Sequence, residues 1–424
     1  MVEHGIKLNF DIPTDIRKII KVAGIGGGGG NAVTHMYRQG IHDVSFALCN
    51  TDKQAMNNSD VPVKVCLGPG LGAGNKPQEA KRFAMESENE IRNMLNDGTE
   101  MVFITAGMGG GTGTGAAPVV ARIAKEMNIL TVGIVTIPFG FEGRPKILQA
   151  LNSVEEMNRN VDALLVINNE RLFDIYKDLS ISSAFARADD TLAIAAKSII
   201  EIITVPGIIN LDFADVRTTM KDGGVALMSN GYGEGEGRLE NAIHEAFKSP
   251  LLNNSNIFNA KKILFNISSS KEEEVSVEEM AYIREFMHRF GDNIEVIWGV
   301  ALDDTLGRKI KFTVLATGFN LADDAPEGIA GDGEYAADEN RPYQEYLIRK
   351  YYGDRFITAG SEPTVSILTF EEMGNDSIVR IIADYPAYNR NPSLLENERN
   401  RLSLENRRRR LDSSPESSRE IINF

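Results

Sequence analysis

The chain has 424 residues, 42% hydrophobic and 25% charged, a globular composition too long for one ordinary core, so two folded domains and an additional segment are expected. A formal net charge of -15 argues against a general nucleic-acid binder, whose electrostatic footprint is basic. Two cysteines, Cys49 and Cys66, exclude a disulfide framework, and five scattered histidines lack the paired spacing of a helical zinc site. No run of about 18 apolar residues occurs, and the leader over 1–15 alternates charged and apolar residues without a signal-peptide core; a cytoplasmic, non-spanning protein is expected.

After the leader, Ile16 to Ile25 reads as a buried strand, and Gly26 to Gly30 breaks it before a helix over Asn31 to Gln39. Gly24, Gly26 and Gly29 satisfy G-x-G-x-x-G, and Asp52 follows the next strand, Val44 to Asn50, at about the distance of a ribose-binding acid. One reading is therefore a monomeric nicotinamide-dependent oxidoreductase. A third glycine cluster, Gly68 to Gly74, precedes a helix over Pro77 to Leu95. The strand Met101 to Ala106 then runs into Gly107-Met108-Gly109-Gly110-Gly111-Thr112-Gly113-Thr114-Gly115, ahead of a helix over Ala116 to Met127. Loops at the carboxyl ends of parallel strands face one crevice, and their unpaired N–H groups lie at positive helix ends. A dinucleotide needs one such loop, whereas three converging loops suit a triphosphate. No G-x-x-x-x-G-K-[ST] occurs, which excludes an ordinary P-loop enzyme. The phosphate candidates are Gly27, Gly28, Gly29, Gly30 and Asn31; Gly74; and Gly109, Gly110, Gly111, Thr112, Gly113 and Thr114.

The run from Gly107 to Gly115, read with its flanks, resembles the signature loop of the tubulin/FtsZ family, and the likeness extends over about residues 17 to 320. The resemblance implies a polymerising GTPase that binds GTP or GDP, with magnesium bridging phosphates through waters and no dedicated protein ligands. Strands at Leu130 to Ile137 and Ala163 to Ile167 flank a turn over Pro138 to Pro145 and a helix over Lys146 to Asn158, so strand and helix alternate as in a doubly wound α/β sheet. In that turn the resemblance makes Glu142 and Lys146 contacts to ribose and base, although Lys146 stands where relatives usually carry arginine. Ser182 to Val205 is a long amphipathic helix, roughly 36 Å at 1.5 Å per residue, with an apolar face from Phe185 to Ile203. Its Phe185 and Asp189, with Asn169, are implied to bind guanine: a carboxylate accepts from N1–H and the exocyclic amine, where adenine offers a lone pair. Asp190 is the alternative carboxylate.

By spacing alone, Asp212 is a helix N-cap and Asp215 its N3 acid. The resemblance adds that Asn210, Asp212 and Asp215 enter the nucleotide pocket of a neighbouring subunit and act on the attacking water, so filaments form head to tail. A nucleotide-binding filament without turnover would make both acids mere caps. A second α/β domain is expected to about residue 320, with Trp298 in its core. The expected divisions are a leader 1–15, a nucleotide domain 16–181, a central helix 182–207, a second domain 208–320, and a largely disordered linker and tail 321–424. Within the tail, Asp384-Tyr385-Pro386-Ala387-Tyr388-Asn389-Arg390 is similar to the peptide by which the family binds division proteins and membrane tethers. Membrane contact is thereby indirect, at a mid-cell division site; Arg407 to Arg410 reads either as a solvated tail or as a contact to anionic lipid.

Overall fold

The computed structural model describes residues 18–175, 180–248, 257–288, 290, 294–319, 341–353, 370–384 and 397–402. The leader over 1–15, the linker over 321–340, tail-peptide residues 385–390 and the run Arg407 to Arg410 lie outside them. The chain divides into two compact units, Met1–Tyr352 and Gly353–Phe424.

The first unit opens with β1 (Ile20–Ile25), α1 (Gly26–Arg38), β2 (Val44–Asn50), α2 (Lys53–Asn57), β3 (Val63–Cys66), α3 (Pro77–Glu86) and α4 (Glu88–Leu95). It continues through β4 (Met101–Gly107), α5 (Thr112–Glu126), β5 (Leu130–Ile137), α6 (Arg144–Asn160), β6 (Ala163–Asn168), α7 (Asn169–Ile175) and α8 (Ile181–Thr204). Then come β7 (Gly207–Ile209), α9 (Phe213–Met220), β8 (Gly224–Gly233), α10 (Arg238–Lys248), β9 (Lys262–Ser269) and α11 (Met280–Met287). The last elements are β10 (Glu295–Leu302), β11 (Ile310–Phe319) and α12 (Arg341–Tyr352).

The first six strands lie parallel in the order β3-β2-β1-β4-β5-β6. Every residue of β1 and β5 is buried, so helices cover both faces, and these two strands are mostly apolar, with buried Lys21, Thr131 and Thr136 as exceptions. Lys21, within β1, is buried and donates to Asp97 at 2.6 Å and to Met94 O at 2.5 Å, which answers the cost of an interior ammonium. The sheet does not stop at β6. It pairs in parallel with β8, Ala163 opposite Gly224, and continues through antiparallel β11 to β9, β10 and β7, eleven strands in all.

Helix α8 packs against α1 and lends Leu192, Ala196, Ile199 and Ile200 to a core that reaches Leu264 and Leu315 of the later strands. Asn230 donates to Ser198 at 2.8 Å and Lys311 to Glu201 at 2.8 Å, tying α8 to β8 and β11. A second apolar cluster joins α10 and α11 to β9 and β11. Trp298, expected in that core, is 37% exposed and stacks on Phe265 at 6.1 Å. The helix predicted over Pro77 to Leu95 breaks at Ser87, whose backbone leaves helical geometry and whose hydroxyl faces Gly68 N at 3.5 Å. In the second unit, Asn375 Oδ1 accepts from Ser377 N and Ile378 N at the start of the helix Asp376–Asp384.

Candidate functional site

Chain connections leave β1 toward β2 on one side and reach β4 on the other, so the strand order reverses between β1 and β4. A doubly wound sheet opens a crevice at that point, outside the carboxyl ends of its strands. Dinucleotide folds share this strand order, so topology does not separate the two nucleotide readings. The loops at the crevice carry the distinction.

Three glycine loops converge there. A Cβ on Gly26 would lie 2.8 Å from Gly113 N, and one on Gly111 would lie 3.1 Å from Ala73 Cβ. The Thr51 and Thr112 hydroxyls meet at 2.6 Å. Some of these glycines serve close approach: a Cβ on Gly29 would sit 2.0 Å from Thr105 O, where α1 lies directly on β4. Others, Gly27, Gly74 and Gly110, have nothing within 4 Å and line open space.

Both helices begin earlier than the sequence predicts, α1 at Gly26 instead of Asn31 and α5 at Thr112 instead of Ala116. Glycine is a poor helix former, but a Cβ on Gly26, Gly29, Gly113 or Gly115 would come within 2.0–2.8 Å of neighbouring backbone, and packing overrides propensity. Neither helix has a side-chain cap or an acid in its first turn. Their N–H groups and positive dipole ends are thus left to an anion.

The loop from Gly107 to Gly115 is braced from α6. Gln149 Nε2 donates to Gly109 O at 2.9 Å and to Gly110 O at 3.1 Å, while Gly109 N donates to Thr114 Oγ1 at 2.9 Å. Pro118 lacks the N–H that would bond Thr114 O, and the Ser153 hydroxyl donates to that carbonyl at 2.7 Å instead. The Gly109 N–H and the Thr114 hydroxyl thus hold one another, and of the two threonines Thr112 is the less buried. Gln149 and Ser153 carry no signal in the sequence beyond their place on a helix.

A second wall rises from the β5–α6 loop and the start of α8. Phe139 is fully buried, meets Phe185 edge-on at 5.1 Å and stacks with Phe141 at 5.3 Å. Phe185 remains 40% exposed, unlike the other members of its predicted face. Glu142 accepts from Phe139 N at 2.8 Å and pairs with Lys146. Asn169 is buried and its Oδ1 has no partner, an orphaned acceptor of the kind a ligand donor completes.

The structure separates the two adjacent carboxylates. Asp190 faces Arg187 at 3.5 Å and His35 at 3.6 Å. Asp189 turns to Asn31, and burial, with the Asp190 charge beside it, pushes its carboxyl up to about 7 against the one hydrogen bond from Asn31. Asp189 and Asn31, from opposite ends of the predicted site, are thus in contact.

Beyond the C-terminus of α8, Asp212 Oδ1 accepts from Asp215 N and Asp215 Oδ2 from Asp212 N, each at 2.9 Å, the reciprocal box of a capped helix. Asn210 Oδ1 accepts from Gly207 N at 2.7 Å. The short strand β7, paired with β10 and missed by the sequence reading, fixes this loop's root. From Asp189 to Thr204 the helix advances about 15 residues, roughly 23 Å, so these acids lie at the far end of α8 from the crevice.

Fold and crevice together define a nucleotide-binding protein of the doubly wound α/β class. The model of the tubulin/FtsZ family GTPase domain matches residues 19–177, and that of the FtsZ family C-terminal domain matches 224–320. The cell division protein FtsZ of Porphyromonas gingivalis is 51% identical over 409 residues, 92% of this chain and 89% of that protein. FtsZ 1 of Thermococcus kodakarensis is 41% identical over 78% of this chain and 91% of its own. Among solved structures, an empty FtsZ dimer from M. jannaschii superposes with a TM-score of 0.66 at 37% identity, covering 70% of this chain and 88% of that one. The GTPγS-bound CetZ2 protofilament protein of Haloferax volcanii, at 18% identity and a TM-score of 0.62, shares the fold over 78% and 98%. The chain belongs to the tubulin/FtsZ family.

Proposed function

We propose that this protein is a GTPase that assembles head to tail and hydrolyses GTP across the contact between successive copies, in bacterial cell division. The observation that carries the reading is the split along α8: open helix N-termini and a base-side wall at one end, rigidly capped carboxylates at the other. Neither end alone is a hydrolytic site. The M. jannaschii relative, solved as a dimer, supports self-association.

In this reading the N-termini of α1 and α5 hold the phosphates through Gly27 to Asn31 and Gly110 to Thr114, with Gly74 closing the third side; Gly109, expected among them, has its N–H taken by the Thr114 hydroxyl. Asp189 accepts from guanine N1–H and the exocyclic amine, Asn169 Oδ1 takes a further donor, Phe185 covers the base, and Glu142 with Lys146 meets the ribose side. Asp212 and Asp215 of the next copy orient the attacking water, and Asn210 lies near the phosphates; the capping box is what makes them rigid enough to do so. The Thr51 and Thr112 hydroxyls are hard oxygen donors suited to a hydrated magnesium ion, which would neutralise charge on the β- and γ-phosphates. The nucleotide domain, over 16–181, and the second domain, over 208–320, are then the two sides of each contact, with the central helix over 182–207 between them.

Specific GTPase activity is expected to rise with protein concentration, and sedimentable polymer to form with GTP but not with GDP or ATP. Asp215→Asn keeps an acceptor for the cap, so it folds normally yet loses at least about 100-fold in turnover, the usual worth of a water-activating acid. Mixed into wild type it lowers activity of the mixture beyond dilution. Turnover per molecule that does not change with concentration sinks the shared site.

A further inference from the structure

The segment after the second domain is expected from its sequence to be largely disordered, yet α12 docks on the nucleotide domain. Tyr343, Leu347, Ile348 and Tyr352 are its buried residues, and the helix lies against α6. Tyr343 bonds Glu155 on α6, and Glu345 faces Arg144 at 3.9 Å. At its C-terminal turn the helix reaches both strands that end at the base-side wall. The Tyr352 hydroxyl donates to Pro138 O at 2.7 Å, and Asn168 Nδ2 donates to Tyr351 O at 2.5 Å.

These bonds join a closed circuit. Pro138 opens the loop whose Phe139 N–H is held by Glu142. Gly140 N donates to Glu170 Oε2 at 2.8 Å, Glu170 N donates to Asn168 Oδ1 at 2.9 Å, and Asn168 returns to Tyr351. The segments so joined carry Phe139, Glu142 and Asn169, the last with its unpartnered buried oxygen. Without α12 the loop over 138–143 and the turn over 168–170 keep only the Gly140–Glu170 bond between them among those described.

We infer that α12 is a positioning element for the nucleotide pocket, and that Tyr352 is a positioning residue which holds the 138–146 loop in its binding geometry. The inference rests on the guanine-nucleotide reading of the crevice. A loop ordered beforehand loses less freedom when ligand binds, and apparent affinity scales with the fraction of molecules already in the competent form. The helix thus acts on nucleotide retention, away from the capped acids that act on water.

The test uses the full chain and measures release of a fluorescently labelled GDP chased by unlabelled GDP. Tyr352→Phe removes one hydroxyl and keeps the ring; release is expected to quicken about two- to tenfold, the range of one neutral hydrogen bond. Leu347→Asp with Ile348→Asp puts two unpaired carboxylates where α12 is buried and lifts it off, with release about tenfold faster or more. In both, KM for GTP rises while kcat at saturating GTP stays within about twofold. A lowered melting temperature with unchanged release in the double variant means the helix only stabilises the fold, and the inference is overturned. Failure of the wild-type protein to bind labelled GDP at all would instead strike the guanine reading.

Discussion

Lowering the pH from about 8 to about 6 is expected to weaken guanine-nucleotide binding about tenfold, through Asp189. Its carboxyl is pushed up to about 7 in the ligand-free protein because it is partly buried and stands beside Asp190, against the hydrogen bond from Asn31. Guanine supplies two donors to the charged form, so binding pulls the titration well below 6 and releases a proton near neutrality. With a free-state value of about 7, the fraction able to accept both donors falls from about nine-tenths at pH 8 to about one-tenth at pH 6, which sets the tenfold factor. The sign for folding of the ligand-free protein is the reverse: a carboxyl raised above its unfolded value favours the fold while protonated, and that contribution is lost as pH rises through about 7. Affinity for labelled GDP is measured by fluorescence titration across this range in wild type, in Asp189→Asn, and in His35→Gln, because His35 is the imidazole facing Asp190. The slope persists in His35→Gln and vanishes in Asp189→Asn, which binds weakly at every pH. A wild-type affinity independent of pH, or a slope that survives Asp189→Asn, refutes the assignment.

Two further outcomes follow from the packing. Gly29→Ala forces a methyl to within 2.0 Å of Thr105 O and is expected to cost about 1–3 kcal/mol in urea unfolding, whereas Gly27→Ala meets nothing within 4 Å, keeps its stability and weakens nucleotide binding instead. Cys49 is buried and its thiol is pushed up to about 12, so native protein treated with iodoacetamide near neutral pH should carry the label at half-buried Cys66 alone; label at Cys49 would mean that β2 opens under native conditions.

Much of the site was legible because its signals are local. A glycine run after an apolar strand, a long apolar stripe with an acid pair near its start, and aspartates three residues apart at a helix entrance each lie within one stretch of chain. The resemblance offered Asp189 for the base with Asp190 as the alternative, and only the folded chain distinguishes their surroundings: Asp190 faces Arg187 and His35 while Asp189 meets Asn31. What escaped was contributed from elsewhere in the chain. Gln149 and Ser153 brace the glycine loop from a helix about 40 residues on, and nothing about glutamine or serine on a helix announces which carbonyl it serves. The helix starts were misplaced for the same reason, since a glycine that breaks a helix and one that lets a helix touch a strand look alike until the strand is there.

From its order of residues alone this chain is a doubly wound α/β protein with a capped aspartate pair remote from its glycine loops, because hydrophobic period, glycine spacing and capping chemistry are written over a few neighbouring positions. Only the tertiary structure decided that one sheet of eleven strands runs through both halves, that Asn31 meets Asp189, and that α12 returns to clasp the wall beside the crevice. Those are pairings between distant segments, selected by which surfaces fit and which buried polar groups find partners, and no local pattern encodes them.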